Sequence, residues 1–175
     1  MENIENKIKV FTLYRYYLYA VVMRDNLRKE NSEDYIKSLK DDASSVILIF
    51  SSPVGVYMTY FYSALYLIIE GWKELKLSDE TIDQFIASSH TEKLRLFRNA
   101  TFHYQKEPIS PKLVQFLGTE EEATEKWINA LYTEFGRYFM ANSFEIPAEL
   151  MKEIEGKGFQ EMTLLIQKYF VKNVK

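Results

Sequence analysis

The stretch from Pro53 to Leu75, PVGVYMTYFYSALYLIIEGWKEL, decides the fold of this chain because it is apolar nearly all the way round a helical wheel. A helix without a polar face has to be buried, so the pattern is typical of the central helix of a bundle. The preceding Ser51 and Ser52 punctuate the chain, and proline suits the first turn of a helix, where no N–H is needed. Glu70 is the first charged side chain on this predicted helix.

The wider segment 43–69 contains no charged residue and is long enough to cross a bilayer. Serine and proline interrupt its first half. Tyrosines run through its second half, whereas membrane-spanning helices concentrate such residues at their two ends. We therefore expect a buried core helix and no membrane association.

An amphipathic helix is predicted before this segment, from about Ile4 to Leu27. Its apolar stripe consists of Ile4, Ile8, Phe11, Leu18 and Val22. Arg15 falls in the middle of that stripe. Because an unpaired buried charge costs several kcal/mol, Arg15 either extends its guanidinium to the rim of the helix or pairs with a carboxylate.

Other helix starts are marked by capping residues. Ser32 is the expected N-cap of a second helix that begins near Glu33 and runs toward Phe50, and Ser78-Asp79-Glu80 marks the start of a short helix. Thr91 is the expected cap of the next helix. The core stripe of that next helix would be Leu94, Phe97, Thr101 and Tyr104, and we expect Pro108 and Pro111 to end it.

The last third of the chain is also helical by pattern. Thr119 to Glu122 forms a capping box that opens a helix with Trp127, Leu131, Phe135 and Tyr138 on its inner face. No strand-like alternation is sustained anywhere. The sequence predicts a single all-α domain over residues 1–175: a four- to five-helix up-down bundle (about 4–141) with a C-terminal helical extension (about 147–173).

Composition limits the possible functions. The 175 residues are 47% hydrophobic with a net charge of −3, which argues against a protein that coats nucleic acid through bulk positive charge. A local basic site is still possible, since Lys93, Arg95 and Arg98 lie within six residues and Lys106 follows. There is no cysteine, which fits a reducing compartment, and the N-terminus lacks a signal pattern. We expect a cytoplasmic protein.

The segment Leu94 to Gln105, LRLFRNATFHYQ, carries the most suggestive chemistry. The imidazole of His103 titrates near neutral pH, and the guanidinium of Arg98 can fork onto phosphate oxygens. On a regular helix Asn99 and His103 share one side, but Arg98 points about 140° from His103. A bent helix end or a second chain would be needed to bring Arg98 and His103 together.

This Arg-Asn-x-x-x-His arrangement, preceded by the aromatic stretch Leu65 to Leu75, resembles the signature of the HEPN superfamily over roughly residues 8–140. The superfamily consists of small all-helical domains that include metal-independent endoribonucleases of phage-defence and toxin systems. The resemblance implies RNA as substrate, His103 as general acid or base, Arg98 neutralising the phosphorane and Asn99 orienting the imidazole or holding a phosphate oxygen. It also implies a homodimer, and a toxin role would add an antitoxin partner.

The sequence departs from some HEPN toxins after the histidine. They carry a tyrosine two positions later, where this chain has Gln105, and Tyr104 follows His103 directly. The simplest interpretation of Tyr104 is that it packs in the core and has no functional role. His90 is expected in a loop. Glu70 could pair with Arg15, pair with Arg98, or face water.

The alternative to a nuclease is a catalytically silent module for dimerisation or nucleotide binding, which the acidic composition favours slightly. In that case Arg98, Asn99 and His103 form a solvated helix face or cap the helix end. No cofactor or metal site is predicted, because two histidines thirteen residues apart give no ligand spacing and the chain lacks a glycine-rich phosphate loop.

Overall fold

A computed structural model of the chain describes residues 2–30, 43–107, 110–117 and 121–142, with two isolated positions beyond them. The described residues contain helices and no strand, which confirms the all-α prediction. The helices are α1 (Glu2–Glu30), α2 (Ala43–Phe50), α3 (Pro53–Glu74), α4 (Glu80–Ile86), α5 (His90–Phe102), α6 (Pro111–Leu117) and α7 (Glu121–Ala141). The predicted Ser32 cap, the start of the Thr119 capping box and the extension at about 147–173 lie outside the described residues.

Helix α3 begins where the sequence predicts. The Ser52 hydroxyl accepts a hydrogen bond from the Gly55 N–H at 3.4 Å, and Pro53 occupies the first turn. Most of the helix is buried between α1 and α5, and its aromatic rings also reach α7. Its fully buried side chains are Leu65, Ile68, Ile69 and Trp72. The prediction of a central buried helix is confirmed.

Helix α5 runs antiparallel to α3. Phe102, at the end of α5, meets Tyr60 early in α3, with ring centroids 5.8 Å apart. Arg98, one turn before Phe102, reaches Glu70 near the end of α3. Helix α5 therefore lies along the central helix, and its C-terminus lies beside the early turns of α3.

Helix α7 runs antiparallel to α1. Tyr14 contacts Phe139 with centroids 5.5 Å apart, and the Arg24 guanidinium donates to Asn129 Oδ1 at 3.1 Å. Trp72 of α3 packs edge-on against Tyr138 of α7 at 4.6 Å. The three helices thus enclose one aromatic core.

Helix α4 is held to its neighbours by polar contacts. Asp79 caps it by accepting the Ile82 N–H at 3.2 Å, so the cap is Asp79 and not Ser78. The Asp79 carboxylate also accepts two hydrogen bonds from Arg137 of α7, which lower the pKa of Asp79. Asp83 accepts the indole N–H of Trp72 at 2.9 Å. These bonds connect α4 to both α3 and α7.

The predicted inner face of α1 was wrong. Leu18 is 42% exposed and Val22 is 51% exposed, while the buried positions are Leu13, Tyr17 and Ala20. The physical reason is that the middle of α1 is apolar or aromatic except at Thr12 and Arg15, so periodicity alone could not choose between faces. Contacts with α3 and α7 make the choice instead.

Two helix boundaries also differ from the prediction. Helix α5 begins at His90, and the Thr91 hydroxyl donates to the Ile86 carbonyl at 2.8 Å, so Thr91 satisfies the end of α4 and does not cap α5. Pro111 begins α6, a helix that we did not predict. Proline can stand in the first turn of a helix as well as after its end, so Pro111 alone did not show which of the two applies. Phe116 of α6 is buried in the core.

None of the described helices is long and apolar enough to cross a membrane. Segment 43–69, the charge-free run, is divided between α2 and α3 by the Ser51-Ser52 turn. Its second half is covered by α1 and α5.

The close approach of α2 to α3 generates a stability prediction. A Cβ at Gly55 would collide with the backbone carbonyl oxygen of Ile49, which cannot move without shifting α2. A Cβ at Gly71 would meet only the end of the Leu13 side chain. We expect Gly55→Ala to destabilise the protein by about 1 to 3 kcal/mol. In Gly71→Ala the contact with the Leu13 side chain lowers the free energy of unfolding, and the higher helix propensity of alanine raises it by about 1 kcal/mol. The two effects should nearly cancel.

Urea unfolding monitored by circular dichroism measures both variants under identical conditions. Equal stability of Gly55→Ala and the wild type would show that α2 does not lie against Gly55.

Candidate functional site

The guanidinium of Arg98 is fixed on three sides. Its Nη2 donates to Glu70 Oε2, and its Nη1 donates to Asn99 Oδ1 at 3.0 Å. The guanidinium carbon lies 5.1 Å from the centre of the Tyr66 ring, a cation–π contact. The Arg98 side chain is only 22% exposed, and its Nε is buried with no acceptor among the described residues. Arg98 is therefore held in one position at the α3–α5 contact.

Glu70 pairs with Arg98, one of the alternatives that the sequence left open. The Glu70 side chain is 41% exposed, so one edge of the ion pair still faces solvent. The alternative pairing of Glu70 with Arg15 is not formed. Arg15 is exposed on α1, where its guanidinium lies 5.4 Å from the ring of Tyr16. Arg15 is thus not part of the site.

The ring of Tyr66 packs against the guanidinium of Arg98. Its side chain is buried, and burial together with the neighbouring Glu70 carboxylate raises the pKa of its phenol. The phenol therefore stays neutral at physiological pH and supplies an uncharged aromatic surface for the guanidinium.

A second ion pair lies beside the first. Arg95 donates to both carboxylate oxygens of Glu92, at 2.8 and 2.6 Å, and the pairing lowers the pKa of Glu92. The two arginines of the basic cluster each face one glutamate. The local positive charge expected from Arg95 and Arg98 is therefore largely neutralised. Glu92, which the sequence reasoning overlooked, stands three positions before Arg95, a spacing that favours such a pair.

His103 lies just beyond the end of α5. Its backbone is extended (φ −109°, ψ 136°), and its N–H donates to the Asn99 carbonyl at 3.1 Å. The imidazole is exposed. The helix ends at Phe102, and the Asn99 side chain accepts a hydrogen bond from Arg98.

Tyr104 was placed wrongly in the core. It is 92% exposed, because the chain leaves the helix before reaching it. Phe102 and Tyr60 are each about half exposed and form an edge-to-face pair. The aromatic patch at the end of α5 consists of the exposed Tyr60–Phe102 pair together with the exposed Tyr104, which follows His103 in the chain.

His90 has a structural role at the opposite end of α5. It is the first residue of that helix and not a loop residue, its ring stacks on Trp127 at 5.4 Å, and its Nδ1 lies 2.9 Å from the Ser88 hydroxyl. Among the residues that the structure describes, no group of three histidine or acidic side chains is placed to hold a metal ion.

Comparisons of the chain with protein-family models, with curated proteins and with solved structures found no match. The function is therefore inferred from the side chains around Arg98 and His103.

A double-mutant cycle tests the ion pair. We expect Glu70→Gln and Arg98→Met each to lower the free energy of unfolding, with a coupling energy of about 1 kcal/mol, because the pair is partly exposed. The double mutant should be less destabilised than the sum of the single mutants. Arg15→Met is the matched control and should leave stability within about 0.5 kcal/mol of the wild type. Additive losses would show that Glu70 and Arg98 do not interact.

Proposed function

We propose that this protein is a HEPN-like bundle that binds RNA and cleaves it without a metal ion, using the end of α5 as its active site. One observation supports the proposal most: Arg98 is held by Glu70, Asn99 and Tyr66, and the exposed imidazole of His103 follows five positions later. A fixed guanidinium and a solvent-accessible imidazole are two groups that suit chemistry at a phosphodiester.

The proposed reaction is a transesterification. The ribose 2′-oxygen attacks the phosphorus, the bond to the 5′-oxygen breaks, and the products are a 2′,3′-cyclic phosphate and a 5′-hydroxyl. His103 accepts the 2′-hydroxyl proton or gives a proton to the leaving oxygen. Arg98 neutralises the charge that builds on the phosphorane. Asn99 keeps Arg98 in position and can hold a phosphate oxygen.

Arg98 retains capacity for a phosphate. A guanidinium has five N–H donors, and Glu70 and Asn99 take one each. The solvent-facing edge of the pair is the side from which RNA would approach. Glu70 competes with the phosphate for Arg98, so binding RNA includes partial replacement of Glu70 by a phosphate oxygen.

A homodimer would complete the site. The reaction uses one base and one acid, and each chain presents one exposed histidine at the end of α5. Two α5 ends that face each other across a two-fold axis would supply both groups. The exposed rings of Tyr60, Phe102 and Tyr104 provide apolar surface for such a contact. The protein would act in the cytoplasm, in phage defence or with an antitoxin.

The second candidate is a catalytically silent module for dimerisation or nucleotide binding. It is favoured by the pairing of both arginines with glutamates, since neutralised cations attract RNA weakly. This candidate keeps the aromatic patch as a contact surface and assigns Arg98 a purely structural role.

The catalytic proposal predicts that the purified protein cuts single-stranded RNA in EDTA and leaves 2′,3′-cyclic phosphate ends. His103→Ala should lower the rate at least about 100-fold, the usual contribution of general acid–base catalysis. Cleavage is measured on labelled RNA by gel electrophoresis, with the ends identified by mass spectrometry.

His90→Gln is the matched control, because it removes the other histidine, which packs on Trp127. It should keep the wild-type cleavage rate at a temperature where it is folded. Equal activity of His103→Ala and the wild type, or dependence on added magnesium, would reject the proposed mechanism.

The assembly proposal predicts a particle of about twice the 20.7 kDa chain mass at micromolar concentration, measured by multi-angle light scattering. Phe102→Ser should weaken the dimer because it removes exposed apolar surface at the proposed contact. Leu18→Ser removes a similarly exposed residue from α1 and should have no effect. A strictly monomeric wild type would exclude the composite site.

A further inference from the structure

Helix α1 has two apolar sides, and only one of them packs in the core. The side that contains Leu13, Tyr17 and Ala20 is buried against α3 and α7. A second apolar series runs along a different side of the helix. We call it the outer stripe, and its members are Ile4, Ile8, Phe11, Leu18 and Val22, with Arg15 in its middle.

The outer stripe has the spacing of a coiled-coil seam. Counted with Arg15, its members follow one another at intervals of four, three, four, three and four residues. Alternating intervals of four and three are the heptad pattern by which two long helices interlock their side chains. Helix α1 has 29 residues and presents the whole series on one element. The pattern therefore favours another helix as the structure that covers the stripe.

The stripe is open to solvent where its side chains are described. Leu18 is 42% exposed and Val22 is 51% exposed, while Phe11 is partly buried. Arg15 is exposed as well. Single exposed apolar residues are ordinary on a protein surface, but a consecutive series on one side of one helix is typical of a contact surface.

Arg15 is the charged residue of the stripe, and no carboxylate of the described residues pairs with it. The residues three and four positions away from it are not acidic. Its guanidinium carbon lies 5.4 Å from the ring centroid of Tyr16, a contact that leaves the positive charge unneutralised. A charged residue at one seam position selects a helix that carries the matching group.

The charge of Arg15 also argues against a second copy of the chain as the occupant. Two α1 helices paired in parallel would place Arg15 opposite Arg15. In the antiparallel register that joins the whole stripe, Arg15 would face Phe11, and the two guanidiniums would stand about one turn apart. Both arrangements bring like charges into an apolar seam without a carboxylate, which is unfavourable.

We propose that the outer stripe of α1 binds an amphipathic helix of another protein, with apolar residues at heptad spacing and an aspartate or glutamate opposite Arg15. The apolar residues of that helix cover Leu18 and Val22, and its carboxylate pairs with the guanidinium. The candidate site lies on α3 and α5, so the two surfaces belong to different helices. The interaction does not depend on RNA cleavage.

Two labelled peptides test the chemistry of the partner. Each is an amphipathic helix about four heptads long with leucine at the seam positions, except that one central seam position carries glutamate in the first peptide and lysine in the second. Fluorescence anisotropy measures their binding to the full-length protein, at a peptide concentration too low for the peptide to pair with itself. The glutamate peptide should bind saturably and at least about fivefold more tightly, because an attractive charge pair replaces a repulsive one. Equal binding of the two peptides would overturn the proposal.

Charge reversal at Arg15 gives the sharpest comparison. Arg15→Glu should reverse the preference, so that this variant binds the lysine peptide more tightly than the glutamate peptide. Both peptides are measured on the same variant, so a change in its stability affects both equally and cannot produce the reversal. A preference for the glutamate peptide that persists in Arg15→Glu would show that the peptide binds elsewhere, and the proposal would be wrong.

Val22→Asp tests the apolar part of the stripe. It should weaken binding of the glutamate peptide at least about tenfold, because the new charge would lose water at the contact. Met140→Asp is the matched control, since Met140 is 67% exposed on α7. It should bind the peptide as the wild type does. An equal loss in the two variants would mean general charge repulsion and would reject the stripe as the binding surface.

The other possible occupants give different results. If a second copy covers the stripe, Val22→Asp should lower the particle mass in light scattering. If another part of the same chain covers it, neither peptide should bind to the wild type. Either result would overturn the proposal, whereas an unchanged particle mass with charge-selective peptide binding supports it.

Discussion

The burial of α3 is the constraint on which the rest of the structure depends. A helix without a polar face needs cover over most of its surface, and α1, α5 and the rings of α7 provide that cover. The first charge that α3 carries, Glu70, has to find a partner at the edge of this packing. Arg98 of α5 supplies it. The position of α5 is thus determined in part by the ion pair that it makes with Glu70, where α3 reaches the edge of the core.

The features predicted correctly from the sequence are those set by local signals. Ser52 and Pro53 mark the start of α3, and the run of apolar residues after them has only one stable environment. The inner face of α1 was missed because Tyr14, Tyr17 and Leu18 all suit a core, and only the neighbouring helices decide among them. The C-terminal boundary of α5 was missed because the sequence contains no glycine or proline between His90 and Pro108 that would mark the end of a helix.

The residues of the candidate site were chosen from the sequence, and the structure supplies their geometry. Arg98, Asn99 and His103 lie at one end of α5, and Arg98 touches Asn99 directly. The pairing of Glu70 with Arg98 depends on the register between α3 and α5, which periodicity within one helix does not encode. The pairing of Glu92 with Arg95 could have been predicted from the sequence, since residues three apart on a helix are neighbours on its surface.

The contacts of α5 differ greatly between its two ends. At its start the Thr91 hydroxyl bonds the last turn of α4, and His90 stacks on Trp127, whose indole N–H bonds the Phe85 carbonyl at 3.2 Å. At its other end, beyond the Arg98–Glu70 ion pair, the Tyr60–Phe102 ring pair is half exposed and the backbone becomes extended at the exposed His103. Helix α5 is therefore held more firmly at its N-terminus than at its C-terminus. A change of partner at Arg98 would therefore displace His103 more than His90.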